Sequence, residues 1–331
     1  MRARFASMMP WLAVVVATPA LAQQDVCSYP YRVGFTVTRL DGIDVALWYP
    51  TRATPQIYDY TASFSGYVAP HATPACGRVP LVVFSHGLGG CGTQSLYFTE
   101  ELARHGYVVA APDHADATLC TVNGGTGDPA NMIPQEPFAQ PQLWSADTYA
   151  DRAADLEAII DALLSDRAFA PIIDPLSIGA AGHSLGGYTV LGLAGAWPSW
   201  KDARIRAVLA LSPYIEPCGL QATLGTLDVP VMYQGAQLDV GITPTLTGPD
   251  GAYAQTSSPK YFAELFGGTH YVWSNLGCGD TPSVQACLVM QPDPRMVDLY
   301  GIAFLDRYLK GLRTPILNGN GAGLADWEQQ P

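Results

Sequence analysis

A serine in a glycine-flanked motif is the first residue whose setting indicates chemistry. Residues 182–186 read GHSLG, which matches the pattern G-x-S-x-G. The stretch 177–181 predicts a buried strand and the stretch 188–196, rich in small residues, predicts a helix, so Ser184 falls on a strand-to-helix turn. Glycines are needed two residues to either side because side chains there would collide with the neighbouring strand and helix. Ser184 is therefore the predicted nucleophile of an acyl transfer; the alternative is a tight turn with a solvent-facing serine.

Acyl transfer also needs hydrogen-bond donors for the oxyanion that forms when the serine attacks a carbonyl group. The turn itself provides the main-chain N–H of Leu185, at the start of the predicted helix. The second predicted donor is the main-chain N–H of Leu88, in the stretch FSHGLGG at 84–90, where glycine lets the main chain approach closely. His86 in the same stretch is an alternative base, but this position builds the oxyanion loop in such folds.

The serine hydroxyl becomes a good nucleophile only when a base accepts its proton. With a nucleophile on this kind of turn, the chain order is serine, acid, histidine, and of the 6 histidines only His270 follows Ser184. His270 lies just beyond the predicted strand 261–266, at the sheet edge that also carries Ser184. His270 is therefore the predicted base.

The imidazole in turn requires a carboxylate that holds its tautomer and stabilises its charged form. Asp239 follows the predicted strand 231–233 at its carboxyl end and is the predicted acid. Asp228 precedes the same strand and so belongs to the opposite edge of the sheet. Glu216, which follows the strand ending at Leu211, is the alternative acid.

Large side chains on loops at the same sheet edge are predicted to contact the substrate. They are Leu88, Trp144, Tyr214, Ile242 and Trp273. An aromatic side chain at the mouth of a site can stack against an acyl group. The alternative for each of them is packing inside the protein.

The elements that must position these residues follow from hydrophobic patterning. Strands that are apolar on both faces and separated by helices indicate a parallel sheet between two helix layers. The predicted strands are 81–84, 107–111, 178–181, 207–211, 231–233 and 261–266, and the predicted helices are 94–105, 148–164 and 296–310. Residues 31–49 alternate apolar and polar around Asp41-Gly42, which predicts an antiparallel hairpin. The predicted fold class is α/β, with a mostly parallel central sheet, an antiparallel N-terminal hairpin and helices on both faces.

Two segments, 51–78 and 119–146, are rich in Pro, Gly, Thr and Asn and are predicted to lack regular structure. The second segment follows a strand at its carboxyl end, where open α/β sheets bind ligands. It is predicted to form part of a substrate wall; the alternative is a surface loop pinned by Cys120.

Residues 1–22 read as a signal peptide, with Arg2 and Arg4, a short apolar run and the cleavage pattern Ala-Leu-Ala at 20–22. We therefore expect export to the periplasm or outside the cell, and a single domain over residues 23–331. The net charge of the whole chain is −12, which argues against nucleic acid and anionic lipid as partners. No later apolar run is long enough to span a bilayer, so stable membrane insertion is not expected.

The 7 cysteines follow the signal peptide, and export would place them where disulfides persist. Cys278 with Cys287 is the first predicted bridge because the two flank a short turn. Cys91 with Cys120 and Cys27 with Cys76 follow, which leaves Cys218 over. Sequence spacing alone leaves other connectivities open.

From residue 82 to about 274, the chain resembles exported bacterial α/β-hydrolases related to platelet-activating-factor acetylhydrolase and to dienelactone hydrolases. The matching stretches are VVFSHGLGG (82–90), ARHGYVVAAPDH (103–114) and IGAAGHSLGGYTVLGLAG (178–195). In the acetylhydrolase family the acid follows the sixth strand, where this chain has Ser-Pro-Tyr at 212–214. The stretches GAQLDVGITP (235–244) and GGTHYVW (267–273) are similar to the acid and histidine loops of cutinase-like polyester hydrolases, which implies Asp239 and His270 as triad members.

These observations predict carboxylic-ester hydrolysis through an acyl-enzyme on an α/β-hydrolase fold, with no metal or other cofactor. The expected partner is a small-molecule or polymeric ester. Alternatives within the class are polyester, lipid-acetyl, lactone, thioester or peptide hydrolysis. The alternative of a different class is a secreted binding protein that kept the fold without the chemistry.

Overall fold

The strands of the described residues form one mixed sheet. In this computed structural model, the described residues are 27–221, 223–257 and 259–331. The strands are β1 (Val33–Leu40), β2 (Ile43–Pro50), β3 (Gln56–Thr61), β4 (Phe64–Pro70), β5 (Val79–Ser85), β6 (Val108–Pro112), β7 (Ile173–His183), β8 (Ile205–Leu211), β9 (Val231–Ala236), β10 (Lys260–Leu265) and β11 (Asp326–Gln330). Their order across the sheet is β11-β10-β9-β8-β7-β5-β6-β2-β1-β4-β3. The central strands β6, β5, β7, β8, β9 and β10 run parallel, which confirms the predicted mostly parallel sheet.

Helices cover both faces of this sheet, as predicted. They are α1 (Leu96–Arg104), α2 (Ala150–Ser165), α3 (Leu185–Leu191), α4 (Glu216–Leu220), α5 (Thr243–Leu246), α6 (Ala252–Gln255), α7 (Val284–Met290) and α8 (Pro292–Lys310). Successive residues of a strand point to opposite faces. In β5, Val83 therefore belongs to the same core as Ile160 of α2, whereas Phe84 belongs to the opposite core with Phe304 of α8.

The N-terminal part of the sheet contains two antiparallel hairpins. The first, β1 with β2, pairs Leu40 with Ile43 around the predicted Asp41-Gly42 turn and confirms that prediction. The prediction that residues 51–78 lack regular structure is wrong, because β3 and β4 form the second hairpin. Tyr58 and Tyr60 alternate with more exposed residues along β3, and their rings lie 5.2 and 5.0 Å from the ring of Phe35. This two-residue alternation was the available signal, and the surrounding Pro and Gly residues obscured it.

Residues 119–146 run over the carboxyl ends of the central strands as an irregular segment. They contain two short 3₁₀ turns, Pro129–Asn131 and Pro141–Leu143, and otherwise no helix or strand, which confirms the prediction for this segment. The α7 helix and the edge strand β11 were not predicted, because each is short and has weak periodicity.

All three predicted disulfides are present. They join Cys27 to Cys76, Cys91 to Cys120 and Cys278 to Cys287. Cys218 carries a free thiol and is buried. It is the cysteine that the predicted pairing left over. Burial raises the pKa of this thiol to about 12, so it is not a reactive thiolate at neutral pH.

The predicted signal peptide, residues 1–22, lies outside the described residues. Within the described residues, none of the helices combines the length and apolarity that crossing a bilayer requires.

Candidate active site

Ser184 lies at the turn between β7 and α3, and its main chain is strained, with φ 55° and ψ −117°. A non-glycine residue held in such a region costs about 1–3 kcal/mol. Close main-chain packing on both sides imposes this conformation. A Cβ atom on Gly182 would lie 2.3 Å from the main-chain oxygen of Gly186, and one on Gly186 would lie 1.9 Å from that of Ser85. Glycine is therefore required at both positions, and the turn exposes the hydroxyl of Ser184 to the cavity above the sheet.

His270 lies on the loop that follows β10 and faces Ser184. Its Nε2 lies 2.9 Å from Oγ of Ser184, and its Nδ1 lies 3.0 Å from Oδ2 of Asp239. When Nδ1 carries the proton and donates a hydrogen bond to the carboxylate, Nε2 presents a lone pair to the serine hydroxyl. Three side chains from distant segments thus meet in one hydrogen-bonded line.

Asp239 is held by the turn that follows β9, where its main-chain oxygen accepts a hydrogen bond of 3.0 Å from the N–H of Thr243. Burial raises the pKa of the Asp239 carboxyl. Hydrogen bonds from His270 and Ser212, together with the charge of His270, outweigh burial and hold this pKa below its ordinary value. The carboxylate is therefore ionised at neutral pH, as an acid that orients an imidazole must be.

The two other acids considered from the sequence lie elsewhere. Asp228 precedes β9, at the opposite edge of the sheet, and its Oδ2 lies 2.6 Å from Nζ of Lys201. Glu216 begins α4 and lines a different cavity, together with Pro249 and Asp250.

Ser212, which follows β8, was missed as a site residue. Its hydroxyl hydrogen-bonds to Oδ2 of Asp239 and lies 2.9 Å from Nδ1 of His270. The main chain of Ser212 also has a positive φ, 43°. Its place at the carboxyl end of β8, the strand next to β9, was the only signal in the sequence.

The two predicted oxyanion donors are the main-chain N–H groups of Leu88 and Leu185. Within the described residues, neither donates to another protein group; that of Leu185 opens α3 and so has no partner inside the helix. The loop around Leu88 is held by its neighbours. The N–H of Gly87 donates to Oε1 of Gln94 at 2.9 Å, and that of Gly89 donates to Oδ2 of Asp116 at 3.1 Å.

A buried ion pair supports this loop from below. Arg152 is fully buried; it donates to Oδ1 of Asp116 at 2.9 Å and to the main-chain oxygen of His86 at 2.8 Å. Burial raises the pKa of Asp116, but the charge of Arg152 and hydrogen bonding to Gly89 outweigh it, and the pKa is lowered to about 2. Burial and the charge of Arg152 lower the pKa of His86 well below its ordinary value, so His86 is neutral and supports the loop.

His183, next to Ser184, joins the two loops on either side of it. Its Nε2 donates to the main-chain oxygen of His270 at 2.8 Å, and its Nδ1 accepts from Nε2 of Gln94 at 3.1 Å. Burial, followed by the charge of His270, lowers the pKa of His183 to about 3. A neutral His183 and Gln94 thus connect the loop of Gly87 to the loop of the candidate base.

Ser184 and His270 open into a cavity of about 530 Å³. Its apolar lining consists of Leu88, Leu119, Phe138, Tyr271 and Leu276. Leu119 and Phe138 belong to the irregular segment 119–146, which therefore forms one wall of the cavity.

The predicted substrate contacts at Trp144, Tyr214, Ile242 and Trp273 are not found, because none of these residues lines this cavity. Trp273 is fully buried, and its Nε1 donates to Oε1 of Gln234 in the core at 3.0 Å. Ile242 packs at the border of the other core. Of the five residues predicted to contact substrate, Leu88 alone lines the cavity.

Trp144 and Tyr214 lie behind the cavity wall and pack against Phe138. Their rings lie 5.0 and 4.7 Å from the ring of Phe138, and the hydroxyl of Tyr214 donates to the main-chain oxygen of Phe138 at 2.7 Å. They therefore hold Phe138 in the cavity wall.

Within the described residues, no three His, Cys, Asp or Glu side chains are grouped as a metal site requires.

Comparison with known proteins shows similarity to ester hydrolases. The family model described as "Platelet-activating factor acetylhydrolase, isoform II" matches residues 66–137. Lipase 1 of Moraxella sp. (strain TA144) is 27% identical over 158 residues, which are 48% of this chain and 41% of the lipase. Cutinase 2 of Thermobifida cellulosilytica is 29% identical over 194 residues, which are 57% of this chain and 60% of the cutinase. The chain thus spans about half the length of these relatives.

The solved structure of a ferulic acid esterase from Streptomyces cinnamoneus superposes with a TM-score of 0.65 at 20% sequence identity. The match covers 91% of this chain and 96% of the esterase. The predicted resemblance to platelet-activating-factor acetylhydrolases and cutinases is confirmed by these comparisons. The chain therefore has the α/β-hydrolase fold, and it is similar in sequence to proteins named as lipase, cutinase and platelet-activating-factor acetylhydrolase.

Proposed function

We propose that the protein is a serine hydrolase of carboxylic esters that works through an acyl-enzyme. The observation that carries this proposal is the hydrogen-bonded line from Ser184 through His270 to Asp239, which opens into the cavity. The names of the sequence relatives, which include a lipase and cutinases, support the same reaction class.

In the proposed mechanism, Oγ of Ser184 attacks the ester carbonyl carbon while Nε2 of His270 takes its proton. The N–H groups of Leu88 and Leu185 bind the oxyanion of the tetrahedral intermediate. His270 then gives the proton to the departing alkoxide, which leaves as an alcohol. In the second half, His270 deprotonates a water molecule that attacks the acyl carbon. The bond from this carbon to Oγ of Ser184 then breaks, the carboxylic acid leaves, and His270 returns the proton to Oγ. Asp239 holds Nδ1–H throughout and stabilises the imidazolium.

The proposed substrate is a neutral ester with an apolar acyl group. Five apolar side chains line the cavity, and the net charge of the chain is −12, which disfavours anionic substrates. Leu88, Leu119, Phe138, Tyr271 and Leu276 are proposed to contact the substrate. No cofactor takes part in this mechanism.

Polyester hydrolysis is the second candidate, and the exposure of the cavity rim favours it. The exposed fractions of Leu119, Tyr271 and Leu276 are 76%, 59% and 71%, so a chain lying across the mouth would meet apolar side chains. Release of soluble acids from an aromatic polyester film would support it. Activity confined to soluble esters would contradict polyester hydrolysis and favour small esters as substrates.

The main proposal is tested by hydrolysis of p-nitrophenyl acetate and butyrate. We expect turnover by the wild type and loss of about 10⁴-fold or more in kcat for Ser184→Ala and His270→Ala. Labelling with a fluorophosphonate should modify Ser184 in folded protein, since the reagent reacts with activated serines. Folded wild type that neither turns over esters nor is labelled would favour the inactive binding protein instead.

Export is part of the proposal. Three disulfides suit an oxidising compartment, and the predicted signal peptide would deliver the chain there. N-terminal sequencing of protein recovered from the periplasm or medium should begin near Gln23. Protein that stays in the cytoplasm with Met1 retained would contradict this part of the proposal.

A further inference from the structure

The hydroxyl of Ser212 contacts both partners of the pair that orients the candidate base. It hydrogen-bonds to Oδ2 of Asp239, and its oxygen lies 2.9 Å from Nδ1 of His270. The ionised carboxylate has no proton, so the hydroxyl must be the donor toward Asp239. A lone pair of the same oxygen is then free to face the Nδ1–H of His270. The imidazole proton therefore has two acceptors, one charged and one neutral.

The main chain holds this hydroxyl rigidly with respect to the nucleophile. The N–H of Ser184 donates to the oxygen of Leu211 at 3.0 Å, and the N–H of Tyr214 donates to the oxygen of Ser184 at 3.0 Å. The N–H of Ser212 itself donates to the oxygen of Gln234 at 2.8 Å. Leu211 and Tyr214 are thus hydrogen-bonded to Ser184, while Ser212, which lies between them, is hydrogen-bonded to β9.

Ser212 adopts this position at a conformational cost. Its φ of 43° lies in the left-handed region, which is unfavourable for a residue with a Cβ atom, and its side chain is fully buried. Glycine would adopt this conformation more easily, so packing and backbone geometry do not explain why a serine stands here. The two contacts of the hydroxyl do.

We propose that Ser212 is a positioning residue: its hydroxyl fixes the carboxylate of Asp239 and serves as a second acceptor for Nδ1–H of His270. This inference rests on the proposed ester hydrolysis. It implies that Asp239 and Ser212 act on one proton, so the effects of removing them are not additive. When Asp239 is removed, the Ser212 oxygen keeps Nδ1 protonated and leaves Nε2 free to act as the base.

The experiment is a double-mutant cycle on kcat/KM for p-nitrophenyl butyrate. The four proteins are wild type, Ser212→Ala, Asp239→Ala and the double variant. Ser184→Ala is measured beside them and gives the background rate of hydrolysis. We expect Ser212→Ala alone to lower kcat/KM about three-fold, and Asp239→Ala to lower it on the order of a thousand-fold. In the Asp239→Ala protein, loss of Ser212 should cost a further ten-fold or so, more than in the wild type, because Nδ1–H then has neither acceptor.

A matched control removes a buried hydroxyl elsewhere. Thr256 is buried on the turn after α6, and its hydroxyl donates to the oxygen of Ala252 at 2.9 Å. Thr256→Val should lower stability without changing how much Asp239→Ala costs. Ser212→Gly is the second variant: it relieves the positive φ and removes the hydroxyl, so it should fold well and still show the kinetic defect.

A restoring variant tests whether a group at position 212 can act on the Nδ1–H of His270. Ser212→Asp in the Asp239→Ala background places a carboxylate beside Nδ1, in the space that Asp239 vacated. We expect kcat/KM to be at least ten-fold higher than in Asp239→Ala. Plotted against pH, kcat/KM should again show one decrease on the acid side. Absence of any gain would show that a group at position 212 does not act on the Nδ1–H of His270.

The outcomes are distinguishable. If loss of Ser212 lowers kcat/KM at least three times more in the Asp239→Ala protein than in the wild type, the role of Ser212 is supported; a smaller or opposite ratio overturns it. If the wild type itself is no more active than Ser184→Ala, the proposed ester hydrolysis fails, whereas an active wild type with uncoupled Ser212 variants rejects only this inference.

Discussion

Single residues near the candidate site carry a local cost in stability. Ser184 is held at φ 55° and ψ −117°, a main-chain conformation that is costly for a residue with a Cβ atom. Asp116 and Arg152 form a buried ion pair whose role is to hold the main chain near Leu88. In both cases the local cost is offset by contacts of the neighbouring main chain.

Relief of strain at Ser184 should stabilise the fold. We expect Ser184→Gly to be more stable than Ser184→Ala by about 1 kcal/mol, because glycine adopts this φ freely while alanine keeps the Cβ atom. Urea unfolding of the two variants measures the difference, and both should lack esterase activity. Equal stability of the two proteins would contradict a strained nucleophile.

Low pH should lower the free energy of unfolding through protonation of Asp116. Its pKa is lowered to about 2, below the ordinary 3.8, so the unfolded chain binds protons first as the pH falls. The stability from this carboxylate is complete above about pH 4 and is lost as the pH falls toward 2, by about 2 kcal/mol.

Asp116→Asn isolates this contribution. The variant should be less stable than the wild type at pH 7, by about 3 kcal/mol, because Arg152 loses its charged partner. The difference should shrink by about 2 kcal/mol on going from pH 5 to pH 2 in urea unfolding. A difference that stays constant across this range would show that folding does not lower the pKa of Asp116.

At the scale of elements, the site is built from the carboxyl ends of adjacent parallel strands. Ser184 follows β7, Ser212 follows β8, Asp239 follows β9 and His270 follows β10. Because these strands are neighbours in the sheet, four residues far apart in the chain lie within hydrogen-bond reach. The geometry of the turn that carries Ser184 depends on how closely α3 approaches β5.

Gly186 is the point of that approach. We expect Gly186→Ala to lower the free energy of unfolding by at least about 2 kcal/mol, because the new Cβ would lie 1.9 Å from the main-chain oxygen of Ser85. Gly241→Ala is the control, since a Cβ there meets nothing within 4 Å. Chemical denaturation measures both, and equal losses would mean that α3 has room to move away from β5.

At the scale of the whole molecule, disulfides join segments that the sheet does not. The bridge between Cys91 and Cys120 ties the chain after the Leu88 loop to the start of the irregular segment 119–146. Leu119 and Cys120 both line the cavity, so this bridge sets the position of one wall. The bridge between Cys27 and Cys76 lies before β5 in the chain, away from the carboxyl ends of the strands.

Removal of the cavity-side bridge should affect substrate binding as well as stability. For Cys91→Ala with Cys120→Ala, we expect a loss of about 3 kcal/mol in stability and a several-fold rise in KM, because Leu119 is no longer anchored. Cys27→Ala with Cys76→Ala should lose a comparable stability without a change in KM. Equal KM values in the two variants would argue that segment 119–146 does not form the substrate wall.

Much of the architecture could be predicted from the chain because it depends on local patterns. The buried parallel strands have unbroken apolar runs, and the β1–β2 turn has the Asp-Gly pair. The three disulfides were also predicted correctly. The nucleophile turn was recognisable because its glycines are required by contacts within a few residues. The chain order also predicted Ser184, Asp239 and His270 as candidates, each after a strand, and these three side chains form the hydrogen-bonded line.

Only the tertiary structure decided what surrounds those three residues. The direction of a loop side chain depends on packing against distant segments, so Trp273 was predicted at the mouth and lies in the core, while its neighbour Tyr271 lines the cavity. Ser212 carries no motif, and its hydroxyl matters because β8 and β9 are adjacent. Residue type and chain order are local properties of the sequence, whereas the contacts between loops arise from the sheet order, which no single segment encodes.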